Sequence, residues 1–254
     1  MFSDDRTADV YLLGSGIYSF MDMTLLTQHI LSTKCKTVYF LHDLPSLEKY
    51  LIKLVPRAQN LMPIYYLEGR DRNDIYDDIV QHVLQTPAED RPVALLLHGH
   101  PLVYSTISQN LILECETFGL ELEIVPGVCS IDRMMVDLKL DIGQQGVQIL
   151  EASSAVRLQT TINPAIGCFL LQIGGFAGTA TRSTVTKLET ITEFKNYLRK
   201  FYPGDHKAQI IESAVELGFS SRVTEIEIDQ LESAQEIFNY NASMYLGPLP
   251  VPIK

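Results

Sequence analysis

Short apolar runs alternate with helix-like segments through the first half of the chain. The runs that predict buried strands lie in ADVYLLGSG, KTVYFLH, RPVALLLHG and LELEIVPG. Segments with apolar residues at every third or fourth position predict helices, namely MTLLTQHILST, DLPSLEKYLIKLV, NDIYDDIVQHVLQT and TISQNLILECETFG. We expect Asn73 or Asp74 to cap the third helix, Gly119 to end the fourth, and a further strand to end at Tyr65 and Tyr66. This alternation predicts an α/β fold with a mostly parallel sheet.

The pattern changes near Pro126, where we place a domain boundary. Strands are predicted beyond it at GVQILEA, CFLLQIGG, KAQIIES, SSRVTEIEI and NASMYLGP, and helices at ITEFKNYLRKFY and IDQLESAQEIF. Because these strands are suited to a mixed sheet, we expect two α/β domains, residues 1–125 with a mostly parallel sheet and residues 126–254 with a mixed one.

Composition and charge narrow the class of protein. The 254 residues are 46% hydrophobic and 20% charged, which is ordinary for a globular protein. The net charge of −11 argues against nucleic acid as a partner but leaves room for a basic peptide. The four cysteines form no CxxC pair, no basic secretory signal opens the chain, and no apolar run approaches the ~20 residues of a membrane span. We therefore expect a cytoplasmic protein without a membrane anchor.

Three glycine-containing turns follow predicted strands, and ligands of open α/β sheets bind at the carboxyl ends of strands. The turns are GSGIYS at 14–19, HGHPLVYS at 98–105 and VPGVCS at 125–130. The first is also compatible with an ordinary tight turn, since it lacks the third glycine of GxGxxG. His98 and His100 could bind a metal, but no third ligand lies nearby. A loop that presents its backbone to a ligand explains Gly99 and Pro101 better.

In their order and content these turns resemble those of the tetrapyrrole methylase superfamily, the class III S-adenosylmethionine methyltransferases. The matching stretches are GSG at 14–16, GHPLV at 99–103, VPGVCS at 125–130 and ASMYLGP at 242–248. The resemblance implies two α/β domains with the cofactor cleft between them, S-adenosylmethionine as cofactor and S-adenosylhomocysteine as product, without a metal. The first turn departs from the superfamily's usual GxGPGD, which weakens the case for a tetrapyrrole acceptor.

The resemblance also assigns positions to the cofactor pocket. In the first half these are the first glycine of the turn 14–19, residues of the GHP-type loop and the serine that ends the turn VPGVCS. In the second half they lie on two predicted strands. The implied cofactor-binding residues are Gly14, His98, Gly99, His100, Pro101, Val103, Tyr104, Ser130, Gln172, Ser243 and Met244.

A closer resemblance is to the borosin-type peptide backbone α-N-methyltransferases, enzymes of ribosomal peptide (RiPP) biosynthesis. It is carried by VYLLGSGIYSFMDMTLLT, YYLEGRDRNDIYDDIV, HGHPLVYST and VPGVCSIDRMMVDLKLDIGQQGVQILEAS. The family's Y-x5-R-x3-Y spacing falls on Tyr66, Arg72 and Tyr76, which the resemblance makes catalytic. The family tyrosine three residues earlier is Pro63 here, and whether Tyr65 replaces it is left open. The resemblance further implies a homodimer, and the end of the chain at Lys254 leads us to expect a separate precursor peptide as substrate.

A peptide amide is a poor nucleophile because resonance delocalises the nitrogen lone pair, so its methylation needs catalytic groups. A tyrosinate whose pKa is lowered by a nearby cation could take the amide proton, and Arg72 could stabilise charge on the amide oxygen. The same residues could instead pack the core or lie in a solvated turn. Two other functions stay open: methylation of a tetrapyrrole or another small acceptor, and binding of the cofactor without turnover.

Overall fold

The computed structural model describes residues 7–67, 69–174, 186–239 and 241–250. These residues form two compact units. The first contains the residues up to Asp132 together with Ala214–Phe219, and the second contains the remainder. The first unit runs seven residues beyond the end of the predicted domain 1–125, and the assignment of 1–125 and 126–254 to two domains stays a prediction.

The first unit consists of five strands and the helices that connect them. The strands are β1 (Val10–Gly14), β2 (Thr37–Phe40), β3 (Arg57–Asn60), β4 (Val93–Leu97) and β5 (Leu122–Val125). The helices are α1 (Leu25–Thr33), α2 (Pro45–Leu54), α3 (Met62–Tyr65), α4 (Arg72–Leu84), α5 (Thr106–Phe118) and α6 (Ser130–Leu138), the last of which continues into the second unit. A short 3₁₀ turn at Ala88–Asp90 precedes β4.

The five strands form one sheet in the order β3–β2–β4–β1–β5, and every neighbouring pair is parallel. Alternate residues of β1 face opposite sides of this sheet: Tyr11 and Leu13 belong to one apolar core, and Val10 and Leu12 to the other. Because both faces are covered, the central strands are continuous apolar runs. The prediction of a parallel α/β sheet in this half is confirmed.

One strand of this unit was not predicted, and two local predictions are wrong. Strand β3, with the sequence RAQN, lies at the sheet edge and is half exposed, so that it has no apolar run to reveal it. The chain then forms the single helical turn α3 instead of a strand that ends at Tyr65 and Tyr66; Pro63 stands in its first turn, where proline is favoured. Helix α4 is capped by Asp71, not by Asn73 or Asp74: the Asp71 carboxylate accepts the Asn73 backbone N–H at 2.8 Å.

The second unit has a mixed sheet, as predicted. Its strands are β6 (Val147–Glu151), β7 (Gly167–Leu171), β8 (Lys207–Glu212), β9 (Arg222–Glu227) and β10 (Ala242–Leu246), in the order β6–β7–β10–β8–β9. Only β6 and β7 are parallel. Helices α7 (Ala152–Arg157) and α8 (Leu188–Leu198) contribute to this unit, and the predicted helix IDQLESAQEIF is a kinked 3₁₀ helix, Ile228–Ile237.

Among the described residues, no helix is both long enough and apolar enough to cross a membrane.

Candidate active site

The three predicted turns meet at the carboxyl edge of the parallel sheet. A β-carbon added to Gly14 would come within 2.8 Å of the Gly127 Cα, and one added to Gly127 would come within 2.9 Å of the Gly14 Cα. The carbonyl oxygen of Gly99 lies against both positions. Gly16 and Gly99 also exchange backbone hydrogen bonds, of 2.9 and 3.3 Å. Glycine is therefore required for backbones that approach one another this closely.

The loop after β4 is rigidly built. Gly99 has a φ of +73° and Tyr104 one of +51°. Leu102 donates its backbone N–H to His100 Nδ1 at 3.1 Å, and Val103 donates to the His100 carbonyl at 3.1 Å. The carbonyl of the buried Pro101 accepts the Ser108 hydroxyl of α5. These contacts fix the backbone between His98 and Tyr104, and a ligand-binding role for this loop stays a prediction.

His42, which the sequence analysis did not single out, lies beside His98. The two residues follow the neighbouring strands β2 and β4, and their ring centroids are 5.3 Å apart in an edge-to-face arrangement. His42 is 4% exposed, and its Nε2 atom has no hydrogen-bond partner in the described structure. Its carbonyl accepts the Asn60 amide at 2.7 Å. The signal for His42 was its position just after an apolar strand.

Both histidines are held neutral. Burial, followed by the neighbouring His98, lowers the pKa of His42 well below its usual range. Burial also lowers the pKa of His98 to about 4, although Asp22 opposes the shift. The His98 side chain is nevertheless accessible to solvent. The two observations together fit a side chain that lines a recess, where protein crowds it while one side stays open.

Tyr66, Arg72 and Tyr76 are gathered by α3 and α4. Tyr66 directly follows α3, Arg72 is the first residue of α4, and Tyr76 lies one helical turn later on the same face as Arg72. The Tyr66 phenol interacts electrostatically with both Arg72 and Tyr76. Because α3 and α4 follow the carboxyl end of β3, we place this cluster at the same edge of the sheet as the glycine turns.

The Tyr66 phenol keeps its proton. Burial, the largest effect, raises its pKa above the ordinary value of 10, and Tyr76 adds to the shift. Arg72 acts in the opposite direction but does not outweigh them. The expectation that the nearby cation yields a phenol of lowered pKa is therefore wrong for Tyr66, which is suited to donate a hydrogen bond.

Tyr65 has a different environment. Its hydroxyl is hydrogen-bonded to His82 Nδ1 at 2.8 Å, and the His82 ring in turn packs edge-on against Tyr39 at 4.7 Å. Burial and the Asp78 carboxylate raise the Tyr65 pKa. In this structure the Tyr65 hydroxyl is thus committed to a histidine of α4, and Pro63 lies exposed in α3.

The remaining predicted cofactor residues lie at the start of α6, after β7 and on β10. Ser130 is the first residue of α6, next to Cys129, whose N–H donates to Asp132 at 2.7 Å. In the second unit, Gln172 directly follows β7 with an exposed side chain and a φ of +58°. Ser243 and Met244 lie on β10, and Met244 is fully buried in the core. A cofactor role for these residues stays a prediction, one that the burial of Met244 does not favour. In the described parts of the chain, His, Cys, Asp and Glu form no cluster of three that could hold a metal.

Comparison with curated proteins finds borosin precursors. The chain is 24% identical over 251 residues to a methyltransferase/type II borosin cyclic peptide precursor of Phlebiopsis gigantea. The matched region covers 97% of this chain and 44% of that protein. It is 27% identical over 169 residues to a methyltransferase/gymnopeptides precursor of Gymnopus fusipes, and this matched region covers 66% of the chain and 40% of the relative. The chain thus spans less than half the length of these relatives.

Solved structures with the same fold include uroporphyrin-III C-methyltransferase of Thermus thermophilus, with a TM-score of 0.64 at 18% identity over 94% of this chain and 91% of the other. A second structure of the Thermus enzyme, in complex with S-adenosylhomocysteine, gives 0.61 at 16% identity with the same coverage. These likenesses confirm the predicted fold.

The profile of the Tetrapyrrole (Corrin/Porphyrin) Methylases matches residues 9–213, most of the chain. This match confirms the predicted family. The chain belongs to the tetrapyrrole methylase family.

Proposed function

We propose that this protein is an S-adenosylmethionine-dependent methyltransferase that N-methylates backbone amides of a ribosomally made peptide. The observation that carries the proposal is the arrangement of Tyr66 directly after α3 with Arg72 and Tyr76 on one face of α4. Support comes from the borosin precursors among its relatives, whose names combine methyltransferase and peptide precursor. The acceptor is inferred from these relatives and from the cluster, since the fold is shared with enzymes that methylate other compounds.

The residues at the edge of the first sheet fit a polar cofactor. The turns of Gly14, Gly99 and Gly127 bring backbone groups together, the side chain of His98 is accessible beside them, and the buried Nε2 atom of His42 has no partner among the described residues. These are the residues that would hold S-adenosylmethionine, which supplies a methyl group already activated by its sulfonium. His98 and His42 are neutral at physiological pH, so they add no repulsive charge near a cationic donor.

The acceptor amide is the difficult partner in this chemistry. In the transfer the amide nitrogen would gain a methyl group and its proton would pass to solvent water, and negative charge builds on the carbonyl oxygen as the nitrogen loses that proton. A donor aimed at this oxygen stabilises the charge and makes the amide N–H easier to deprotonate. Tyr66, which keeps its proton, and Arg72, whose guanidinium is permanently charged, are suited to bind the oxygen together. Tyr76 completes the polar surroundings of Tyr66.

The experiment that tests the proposal offers the full chain S-adenosylmethionine and two acceptors in separate reactions. One is an apolar peptide of a borosin-like core sequence, supplied in trans, and the other is uroporphyrinogen III. We expect mass increments of 14 Da per methyl on the peptide, with fragment ions that place the methyl on backbone nitrogens. Methylation of the tetrapyrrole alone would overturn the proposed acceptor. Whether the natural precursor is a separate molecule stays a prediction, which activity in trans would support.

A further inference from the structure

The segment Ala214–Phe219 lies against the first turn. It connects strands β8 and β9, yet it belongs to the first unit. The backbone N–H of Ser19, the last residue of the turn 14–19, donates to the Val215 carbonyl at 2.9 Å. Ser19 is 1% exposed and has a φ of +49°, a conformation that costs free energy in residues other than glycine. Contacts from outside the turn are therefore needed to hold it.

Glu216 supplies a second contact through Ser46, in the first turn of α2. One Glu216 carboxylate oxygen accepts the Ser46 backbone N–H at 3.2 Å, and the other accepts the Ser46 hydroxyl. The Ser46 hydroxyl is also hydrogen-bonded to the Ser19 hydroxyl. A continuous chain of hydrogen bonds thus runs from the carboxylate through Ser46 to the end of the glycine turn.

Helix α2 has no cap of its own. Its N-cap residue is Leu44, which makes no side-chain hydrogen bond to the helix. The Glu216 carboxylate takes that place and also meets the positive end of the helix dipole. Burial raises the Glu216 pKa, but the hydrogen bonds from Ser46 and Leu217 and the nearby Lys49 outweigh burial and hold the pKa below its usual value. The carboxylate is therefore charged when it holds Ser46.

We propose that Glu216 and Ser46 are positioning residues for the cofactor turn, which they act on through Ser19. The same turn is held on its other side, where Tyr18 donates its N–H to Asp22 at 2.9 Å. The proposal rests on the proposed function in one respect, namely that this turn holds S-adenosylmethionine. It goes further in assigning a role to a segment remote in sequence from the turn.

Calorimetric titration with S-adenosylhomocysteine tests the proposal on four variants of the full chain: Glu216→Ala, Glu216→Gln, Ser46→Ala and the double variant Glu216→Ala/Ser46→Ala. We expect Glu216→Ala to raise the Kd about tenfold and Glu216→Gln, which keeps an acceptor oxygen, to raise it less. Ser46→Ala should add little in the Glu216→Ala background, because both substitutions break one chain of contacts. In turnover, KM for S-adenosylmethionine should rise while kcat stays nearly unchanged.

Glu225→Ala, which removes an exposed carboxylate from β9, is the matched control. Wild-type Kd values in folded Glu216→Ala and Glu216→Gln proteins would overturn the positioning role alone. An equal loss of affinity in Glu225→Ala would do the same. If the wild-type protein binds S-adenosylhomocysteine but methylates no peptide, the proposed acceptor fails while this inference stands. If the wild-type protein does not bind it, both the cofactor assignment and this inference fail.

Discussion

Two adjacent tyrosines show how much a side chain's role depends on its partners. Tyr65 and Tyr66 end and follow the same helical turn, but the Tyr65 hydroxyl is hydrogen-bonded to His82, while Tyr66 interacts with Arg72 and Tyr76. They offer a natural comparison, since the same phenylalanine substitution removes one hydroxyl from each environment.

We predict that Tyr66→Phe lowers the rate of peptide methylation by about 10²-fold, the scale of losing one donor to a developing oxyanion. The ring is retained, so folding should be preserved. Single-turnover mass spectrometry measures the rate. Tyr65→Phe is the control, and we expect it to keep nearly the full rate at a small loss of stability from its hydrogen bond to His82. Equal rate losses in the two variants would contradict the assignment.

The lowered pKa values of His42, which is buried, and of His98, which is crowded by protein but accessible to solvent, make stability depend on pH. The folded-state pKa values of His42 and His98 are depressed, so the unfolded chain binds more protons as pH falls below about 6.5. Their contribution to stability is therefore fully present above that pH and decreases as pH falls toward 4, where His98 titrates in the folded protein.

We predict that the melting temperature falls between pH 7 and pH 5, and that it falls less steeply in His42→Gln. The measurement is a series of thermal denaturation curves at constant ionic strength. His29→Gln, which removes an exposed histidine from α1, is the matched substitution. A slope in His42→Gln equal to that of the wild type would show that the pair does not govern this dependence.

The sequence pointed to part of the candidate site at this scale. The spacing Y-x5-R-x3-Y identified Tyr66, Arg72 and Tyr76, and α4 does place the last two on one helical face. The sign of the Tyr66 pKa shift was missed because burial depends on packing that spacing does not encode. His42 was missed because only the sheet order, which makes β2 and β4 neighbours, brings it beside His98.

At the scale of elements, the three glycine turns act as one structure. A Gly14→Ala substitution would place a β-carbon 2.8 Å from the Gly127 Cα, and backbone atoms on both sides leave little room to yield. We predict that it lowers the free energy of unfolding by about 1–3 kcal/mol and weakens binding of S-adenosylhomocysteine. Denaturant titration and calorimetry provide the measurements.

Gly247→Ala is the control, since its β-carbon would meet nothing closer than the Tyr245 ring at 4.0 Å. A Gly14→Ala protein as stable as Gly247→Ala would mean that the turns can separate at little cost.

Elements with a continuous apolar run or a regular apolar spacing were predictable from the sequence, and elements without either were not. The central strands β1 and β4 are wholly apolar and wholly buried, so they could be predicted from their sequences alone. Strand β3 is recognisable only from its pairing with β2, because its RAQN sequence is polar. The segment at α3 looked like a strand because of its paired aromatics, whereas Pro63 favoured a helical start.

At the scale of the whole molecule, the family and the two sheets were predictable from the order of motifs and strands. The acceptor was not, because relatives of one fold methylate different compounds. The homodimer also stays a prediction, based on resemblance. We expect light scattering to give twice the chain mass of 28.6 kDa at micromolar concentration. A species of 28.6 kDa with full activity would contradict it.

The path of the chain has a consequence for recombining this protein with its relatives. Ala214–Phe219 belongs to the first unit, while the strands on either side of it belong to the second. A chimera made by joining residues 1–132 to the remainder of a homologue would take this hexapeptide from the wrong parent. Transplants intended to exchange one unit should therefore carry these six residues along with the N-terminal half.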